Sequence, residues 1–272
     1  MRFQKGLLAF FGVVVLATSC SGSKFDNSKL VVGLECGYAP FNWTTTSSSD
    51  TTLPIDGVSG QFADGYDIQI AKFIGDNLGI NVVIKKIEWI ALVPAIQSGD
   101  INVIIAGMSY TEDRDQEVDF TDAYYISDIV AVVEADSALA SITSIQELGG
   151  YKVVSQLGTI QDTIIDQITG VVHQTGTVDF NTAALSVLSG DSDALIAEYP
   201  VARAIVNANP TLSIVQFTIG FTGIDENALS VAVAVGEGNT ELQDKINLAL
   251  ATLTAEDRLS MMDGAIERSA IE

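Results

Sequence analysis

One arginine stands alone in an acidic run. In TEDRDQEVD, Arg114 is the single cation among Glu112, Asp113, Asp115, Glu117 and Asp119, and it follows a turn of small residues, Ala106, Gly107, Ser109 and Thr111. A guanidinium is planar and grips a carboxylate through two parallel hydrogen bonds. Main-chain N–H groups freed at a helix start add donors to the same anion. The chemistry on offer is recognition of a small carboxylate. The same residue reads as readily as a surface ion pair within EDRDQEVD, which would contribute only about 0–1 kcal/mol.

Other chemistries find little support. His173 is the sole histidine, so a multi-histidine metal site is excluded, and its β-rich surroundings read as packing or surface. The two cysteines, Cys20 and Cys36, lack the paired spacing of a zinc site. No strained nucleophile turn, phosphate-cradling loop or Ser–His–acid arrangement is recognisable. The formal charge is −22, from 13 Lys and Arg against 35 Asp and Glu, which argues against nucleic acid because phosphate contacts need clustered cations. It argues equally against charge-driven binding to anionic lipid.

The chain has 272 residues, of which 47% are hydrophobic and 18% charged, a composition that suits one large or two modest globular units. Its start reads as a targeting segment: Arg2 and Lys5, an apolar run over 6–17 too short to span a bilayer comfortably, small residues, then Cys20 and the polar stretch SGSKFDNS. That is the layout of a bacterial lipoprotein signal at 1–19, with cleavage before Cys20, lipid on its sulfur and a tether over 20–28. Plain secretion and a retained signal-anchor helix are the alternatives, since Ala17 stands where Leu is usual. With Cys20 lipidated, Cys36 has no intrachain partner for a disulfide.

The elements that must position Arg114 follow from periodicity. LVVGLECG reads as a strand feeding a loop that holds Tyr38, Pro40, Phe41 and Trp43; TTTSSSDTTLP reads as a mobile surface hairpin or insertion. Asp67 is placed to cap a helix running to about Leu78, with Ile70, Ala71, Ile74 and Leu78 on one face and Gly79 as its stop. NVVIKKI predicts a strand, 90–98 a helix ended by Gly99, and INVIIAG a buried parallel strand. The alternation resumes with strands at 129–133, YKVV, VVHQTG, DSDALIAEY and ALSVAVAV. Between them lie a short helix at 145–148, helices at 160–168, 182–189 and 202–208, and then a helix at 241–253 followed by a shorter one. Such β-α-β alternation predicts doubly wound α/β sheets in two lobes.

Five segments together carry a family signature: VGLECGYAPFNW, GYDIQIAKFIGDNLG, EWIALVPAIQSGDINVIIAGM, SYTEDRDQEVDFTDAYY and GEGNTELQDKINLALATL. In this order and spacing the chain resembles the solute-binding proteins of bacterial polar amino-acid ABC transporters, extracellular solute-binding protein family 3, over nearly its whole mature length. The resemblance implies a type II, periplasmic-binding-protein-like α/β fold: two doubly wound α/β lobes joined by two crossover strands, near 126–134 and 229–235. Lobe 1 would comprise 29–127 plus 232–272, and lobe 2 would comprise 128–231.

It also implies a site. Arg114 falls on the position that takes the ligand carboxylate, assisted by amides around Ser109 and Thr159, and Glu198 on the position that takes the ammonium. Asp191, Asp193 and Asp225 are competitors for that second role. Tyr38 and Trp89 match the aromatics that sandwich the ligand side chain, and Glu35 faces its far end, which favours a basic amino acid such as arginine or lysine over a neutral polar one. Ala106, Gly107, Ser155, Gln156 and Ile160 would line the remainder; Cys36 is a small buried filler or a pocket residue, Trp43 is structural, and Asp67 is a cap rather than a ligand contact.

The resemblance implies a monomer outside the cytoplasm, lipid-anchored at the cell membrane on the periplasmic or cell-surface side. It would deliver its ligand to an ABC transporter permease, and no catalytic role or cofactor is implied. Two other classes use the same fold: a periplasmic cyclohexadienyl dehydratase-like enzyme, for whose anionic substrate Glu35 would be a liability, and a ligand-sensing domain for a membrane receptor.

Overall fold

The computed structural model describes residues 28–224 and 229–269. The targeting segment, Cys20 and the tether up to residue 27 lie outside the described residues, as does Asp225.

Two five-stranded sheets organise the molecule. The first runs Asn81–Lys86, Lys29–Leu34, Val103–Ile104, Ser230–Gly236, Val118–Ile126. Its first three strands are parallel, and Ser230–Gly236 is antiparallel to both of its neighbours. The second runs Val172–His173, Lys152–Val154, Ala194–Glu198, Ile129–Glu134, Leu212–Val215. It too mixes parallel pairs with antiparallel ones at Ile129–Glu134. The apolar runs are long because both faces are covered. Along Ile129–Glu134, Val130 and Val132 join one core cluster while Ala131 and Val133 join another on the opposite face. In Ala194–Glu198, Leu195 and Ala197 divide from Ala194 and Ile196 in the same way.

The chain passes from the first sheet to the second between Ile126 and Ile129, and returns by the segment that leads into Ser230. The two passages lie side by side: Ser127 N–H donates to Leu229 O at 3.1 Å, and Ser230 is paired with Ile126.

Several expectations change. Asp67 is not a cap. The helix is Tyr66–Leu78, Gly65 holds its N-cap position with φ 134°, and Asp67 is the second helical residue, fully buried. A side chain on residue 65 would meet Phe41 O, so glycine is required there and the aspartate lies two positions beyond the cap. The Ser/Thr-rich stretch is folded rather than a loose insertion. Asn42–Thr45, Phe62–Asp64 and Leu53–Pro54 form a four-stranded sheet with Gly37–Tyr38. Thr45 and Thr52 tie the turn between them through Ser47 N–H and Ser49 N–H.

The region 90–98 splits into a 3-10 turn, Trp89–Ala91, and a helix, Leu92–Ser98, closed by Gly99 in the left-handed conformation. The 160–168 helix likewise ends early, as Ile160–Ile164 followed by a 3-10 turn. At the C-terminus the second helix, Ala255–Ser269, is longer than Thr240–Leu250, not shorter. Thr254 and Asp257 exchange side chain–backbone hydrogen bonds at 3.1 Å each and start a new helix. Its Arg268 grips Asp64 with two bonds of 3.0 Å and pins that helix to the small sheet.

Candidate functional site

The carboxyl ends of the parallel strands in the two large sheets face one another, and the segments leaving them line a narrow cavity. From the first sheet's side come Glu35, Tyr38, Trp89, Gly107, Ser109 and Arg114; from the second come Gln156, Thr159, Ile160, Gln161, Phe180 and Glu198. Of the residues expected to line a site, Ala106 and Ser155 stay out, both buried.

Arg114 sits in a short helix, Glu112–Asp115, whose start is capped when Thr111 Oγ1 accepts from Arg114 N–H at 3.1 Å. The acids around it, Glu112, Asp113 and Asp115, point to solvent, while the guanidinium turns into the cavity. It donates to Ser109 O at 2.7 Å and, across the cleft, to Gly158 O at 3.1 Å. Its carbon lies 5.0 Å from the centre of the Trp89 ring, a cation–π distance. Among the described residues it makes no ion pair, so the surface-ion-pair reading is displaced. Desolvation lowers its pKa to about 10, which leaves it charged at neutral pH.

Ser109 is not at a helix start. It lies against the strand Ser230–Gly236, where Ala232 N–H donates to Met108 O and Tyr110 N–H to Ser230 O. Those flanking bonds turn the main-chain groups of Ser109 to the other side, where its carbonyl receives Arg114. Thr159 does open a helix: its Oγ1 accepts from Asp162 N–H at 3.2 Å and donates to Gln156 O at 2.7 Å.

Glu198 ends the strand Ala194–Glu198 and precedes the helix Tyr199–Ala208, which supplies no side-chain cap bond to it. It is buried, and its Oε2 has no hydrogen-bond partner among the described residues. Burial pushes its carboxyl up to about 8. Asp193 is engaged elsewhere, accepting from Lys152 N–H at 2.7 Å, and Asp191 accepts from Ser189 Oγ.

Glu35 is also buried, and burial pushes its carboxyl up to about 7. Its Oε1 accepts from Gln156 Nε2 at 2.9 Å, and the same amide donates to Val178 O at 2.9 Å. Cys36 beside it has φ 55°, with its N–H held by Asn42 Oδ1 and its carbonyl by Thr44 Oγ1. Burial raises its thiol to about 12, so it is an inert filler. Ser155 is spent on Ile196 O at 2.8 Å and does not reach the cavity.

The aromatic wall is larger than expected. Tyr38 stacks on Phe41 at 5.2 Å and leans on Phe180 at 4.9 Å. Trp89 Nε1 donates to Gly158 O at 3.2 Å, so the two sides of the cleft are hooked together at one carbonyl. Gly107, at φ 60°, lets its turn pass the Tyr38 ring: a Cβ there would come within 2.6 Å of it. Gln161 and Phe180 were not anticipated. The signal for Phe180 was the Asp179 cap, whose Oδ1 accepts from Thr182 N–H at 2.7 Å and sets the start of the helix Phe180–Leu188 at the cleft. Gln161 carries no local signal. Trp43 lies in the small sheet, away from the cavity. His173 is neither packed nor free: its two ring nitrogens lie 2.8 and 3.2 Å from Asp166 and Asp162.

The arrangement holds a half-buried cation without an anion, on one side, and a buried carboxyl with an unpartnered oxygen, on the other. Among the described residues no cluster could hold a metal ion, and no helix is long and apolar enough to cross a membrane.

The model of the bacterial extracellular solute-binding proteins, family 3, matches residues 30–263. The arginine-binding extracellular protein ArtP of Bacillus subtilis is 27% identical over 93% of this chain and 91% of its own. The glutamine-binding protein GlnH of an ABC transporter of the same organism is 26% identical over 94% and 93%. Among solved structures, the amino acid ABC transporter substrate-binding protein AbpA of Streptococcus pneumoniae, bound to L-arginine, superposes with a TM-score of 0.76. It is 28% identical over 90% of this chain and 97% of that one.

Proposed function

Because the chain belongs to the bacterial extracellular solute-binding proteins of family 3, we propose that it captures a free basic L-amino acid outside the cytoplasm and delivers it to an ABC transporter permease. One observation carries the reading. The unpaired Arg114 guanidinium and the unpartnered Glu198 oxygen line the same cavity from opposite sides. An α-amino acid supplies in one molecule the anion that the guanidinium lacks and a donor for the carboxyl oxygen that is left without a partner. Arg114 takes the carboxylate with the Ser109 and Thr159 turns, and Glu198 takes the ammonium. Tyr38, Trp89 and Phe180 flank the side chain, with Gly107, Gln156, Ile160 and Gln161 completing the wall.

Glu35 decides the ligand class. Its carboxylate, beside Tyr38 and Trp89, suits a guanidinium or ammonium at the far end of the side chain. Arginine is the first candidate, in line with what ArtP and AbpA are said to bind, and glutamine is the second, in line with GlnH. The two lobes, 29–127 with 232–272 and 128–231, close as rigid bodies about their two connections, since neither alone pairs both charges of the ligand. The chain acts as a carrier and not an enzyme, works as a monomer, and is held at the membrane by lipid on Cys20.

A thermal-shift panel of the common amino acids, with prephenate included, tests this. At a hundredfold excess over its Kd the true ligand adds about 2.7 kcal/mol of stability. A shift with arginine or lysine supports the proposal. A shift with prephenate alone, or with none of the panel, overturns it.

A further inference from the structure

Resting on that reading, the geometry points to Asp67 as a positioning residue: a single buried carboxylate that holds in register the two main-chain segments carrying the first lobe's half of the cleft. Asp67 touches no part of the cavity and is fully buried. Each of its oxygens leads to a different wall. Oδ1 accepts from the Tyr124 hydroxyl at 2.6 Å, and that hydroxyl accepts from Gly107 N–H at 3.1 Å. Oδ2 accepts from Asn42 Nδ2 at 2.8 Å, and the Oδ1 of Asn42 accepts from Cys36 N–H at 2.8 Å. Glu35 and Ser109 lie one and two residues from those N–H groups.

The chemistry leaves little freedom in this chain of bonds. The tyrosine has one O–H, spent on Asp67, and so must accept from Gly107. The asparagine donates through nitrogen and accepts through oxygen, so its orientation is fixed from both ends. Both segments need such holding. Gly107 sits at φ 60° against the Tyr38 ring, and Cys36 sits at φ 55°, a conformation that a residue with a Cβ adopts only under constraint. The left-handed turn at Cys36 follows Glu35 directly and fixes the direction in which Glu35 leaves the strand. Asp67 itself is braced by Phe41 O, which accepts its N–H at 2.8 Å, and by its place in the first turn of a helix, where negative charge is favoured.

A merely structural aspartate would lower stability and leave the folded protein's affinity alone. The test therefore measures binding by calorimetry well below the unfolding midpoint, for arginine and for glutamine. Binding of either ligand by the unaltered protein checks the functional reading first and separately. Tyr124→Phe, which cuts only the arm to Gly107, is expected to weaken both ligands about tenfold or more. Asn42→Ala, which cuts only the arm to Cys36, is expected to erode the preference for arginine by about tenfold, because Glu35 loses its fixed direction. Asp67→Asn, which keeps one accepting oxygen, should break at least one arm and show that arm's loss; if it does not fold, the two single-arm variants still decide. Affinities and preference within twofold of the unaltered protein in either single-arm variant, whatever happens to the melting temperature, overturn the inference.

Discussion

Asp67, behind the cleft, and Glu198, in its lining, are both buried carboxyls, and they differ in how far their oxygens are satisfied. Both oxygens of Asp67 accept from side chains of the protein, while Glu198 Oε2 has no protein partner among the described residues. Burial drives both carboxyls upward, Asp67 to about 6 against the opposing pull of its hydrogen bonds and Glu198 to about 8 with nothing opposing. Burial is therefore no guide to role. What separates a strut from a ligand-facing group is whether its hydrogen-bonding capacity is already used. Arg114 belongs with Glu198: its guanidinium meets carbonyl oxygens and an aromatic face but no anion among the described residues.

The largest effect that could break this division is at Arg114. Arg114→Ala is expected to cost at least about 3 kcal/mol in binding, more than a hundredfold in Kd, because a bound carboxylate would be left without its cation. The ligand-free melting temperature should move by only a few degrees. Calorimetry showing unchanged affinity would place Arg114 among the structural groups and remove the carboxylate subsite. Next in size is a pair of amide substitutions. Glu198→Gln should weaken ligand by about 2–3 kcal/mol, yet leave the ligand-free protein as stable or more stable at pH 8, since a carboxylate buried without a partner is no longer required. Asp67→Asn should do the reverse in stability and lose about 1–3 kcal/mol without ligand, because the amide keeps one accepting oxygen and turns its nitrogen on the other of the two donors. Denaturant melts of the two variants side by side give the comparison. Equal losses of stability would erase it.

This division also explains what could be read in the chain before its structure was known. Strands such as Ile129–Glu134 and Ala194–Glu198 announce themselves, because apolar residues on both faces leave an unbroken run. Arg114, Glu198, Tyr38, Trp89 and Glu35 were legible through motif order, and all five line one cavity. Satisfied groups were not legible. Asp67 at a helix start looks like a cap, and only the requirement for glycine at 65 shows that the helix begins two residues earlier. Its bond to Tyr124 spans 57 residues, and no local pattern encodes it. Phe180 joins Tyr38 from 142 positions away for the same reason. The second C-terminal helix was underestimated because its reciprocal cap uses Asp257 instead of the usual glutamate.

Glu35 stands between the two types: one oxygen accepts from Gln156, and the residue lines the cavity. Glu35→Gln sharpens the comparison there. Arginine should bind about 1–2 kcal/mol more weakly, while glutamine changes little, because only the charge facing the side chain is removed. An equal loss for both ligands, measured by competition, would make Glu35 a strut like Asp67.

The smallest expected effect is a proton count. Glu35 and Glu198 are raised to about 7 and about 8, so near pH 6 the ligand-free protein holds both largely protonated. A carboxyl whose folded pKa lies above its unfolded value lends stability that is full below about 4.5 and is lost as pH rises through the folded value. The ligand-free protein should thus lose this contribution between about pH 5 and 8. A cationic side chain and an ammonium favour the ionised forms, so arginine should bind with release of one to two protons, roughly, at pH 6, and its affinity should climb toward pH 8. Calorimetry in buffers of different ionisation enthalpy counts them. Glu198→Gln should remove about one proton and Glu35→Gln about another, whereas Tyr124→Phe, which touches neither cleft carboxyl, should leave the count as it is. A count that Glu198→Gln leaves unchanged would mean that this carboxyl does not meet the ligand's ammonium, and Glu198 would join Asp67 among the groups that serve the fold.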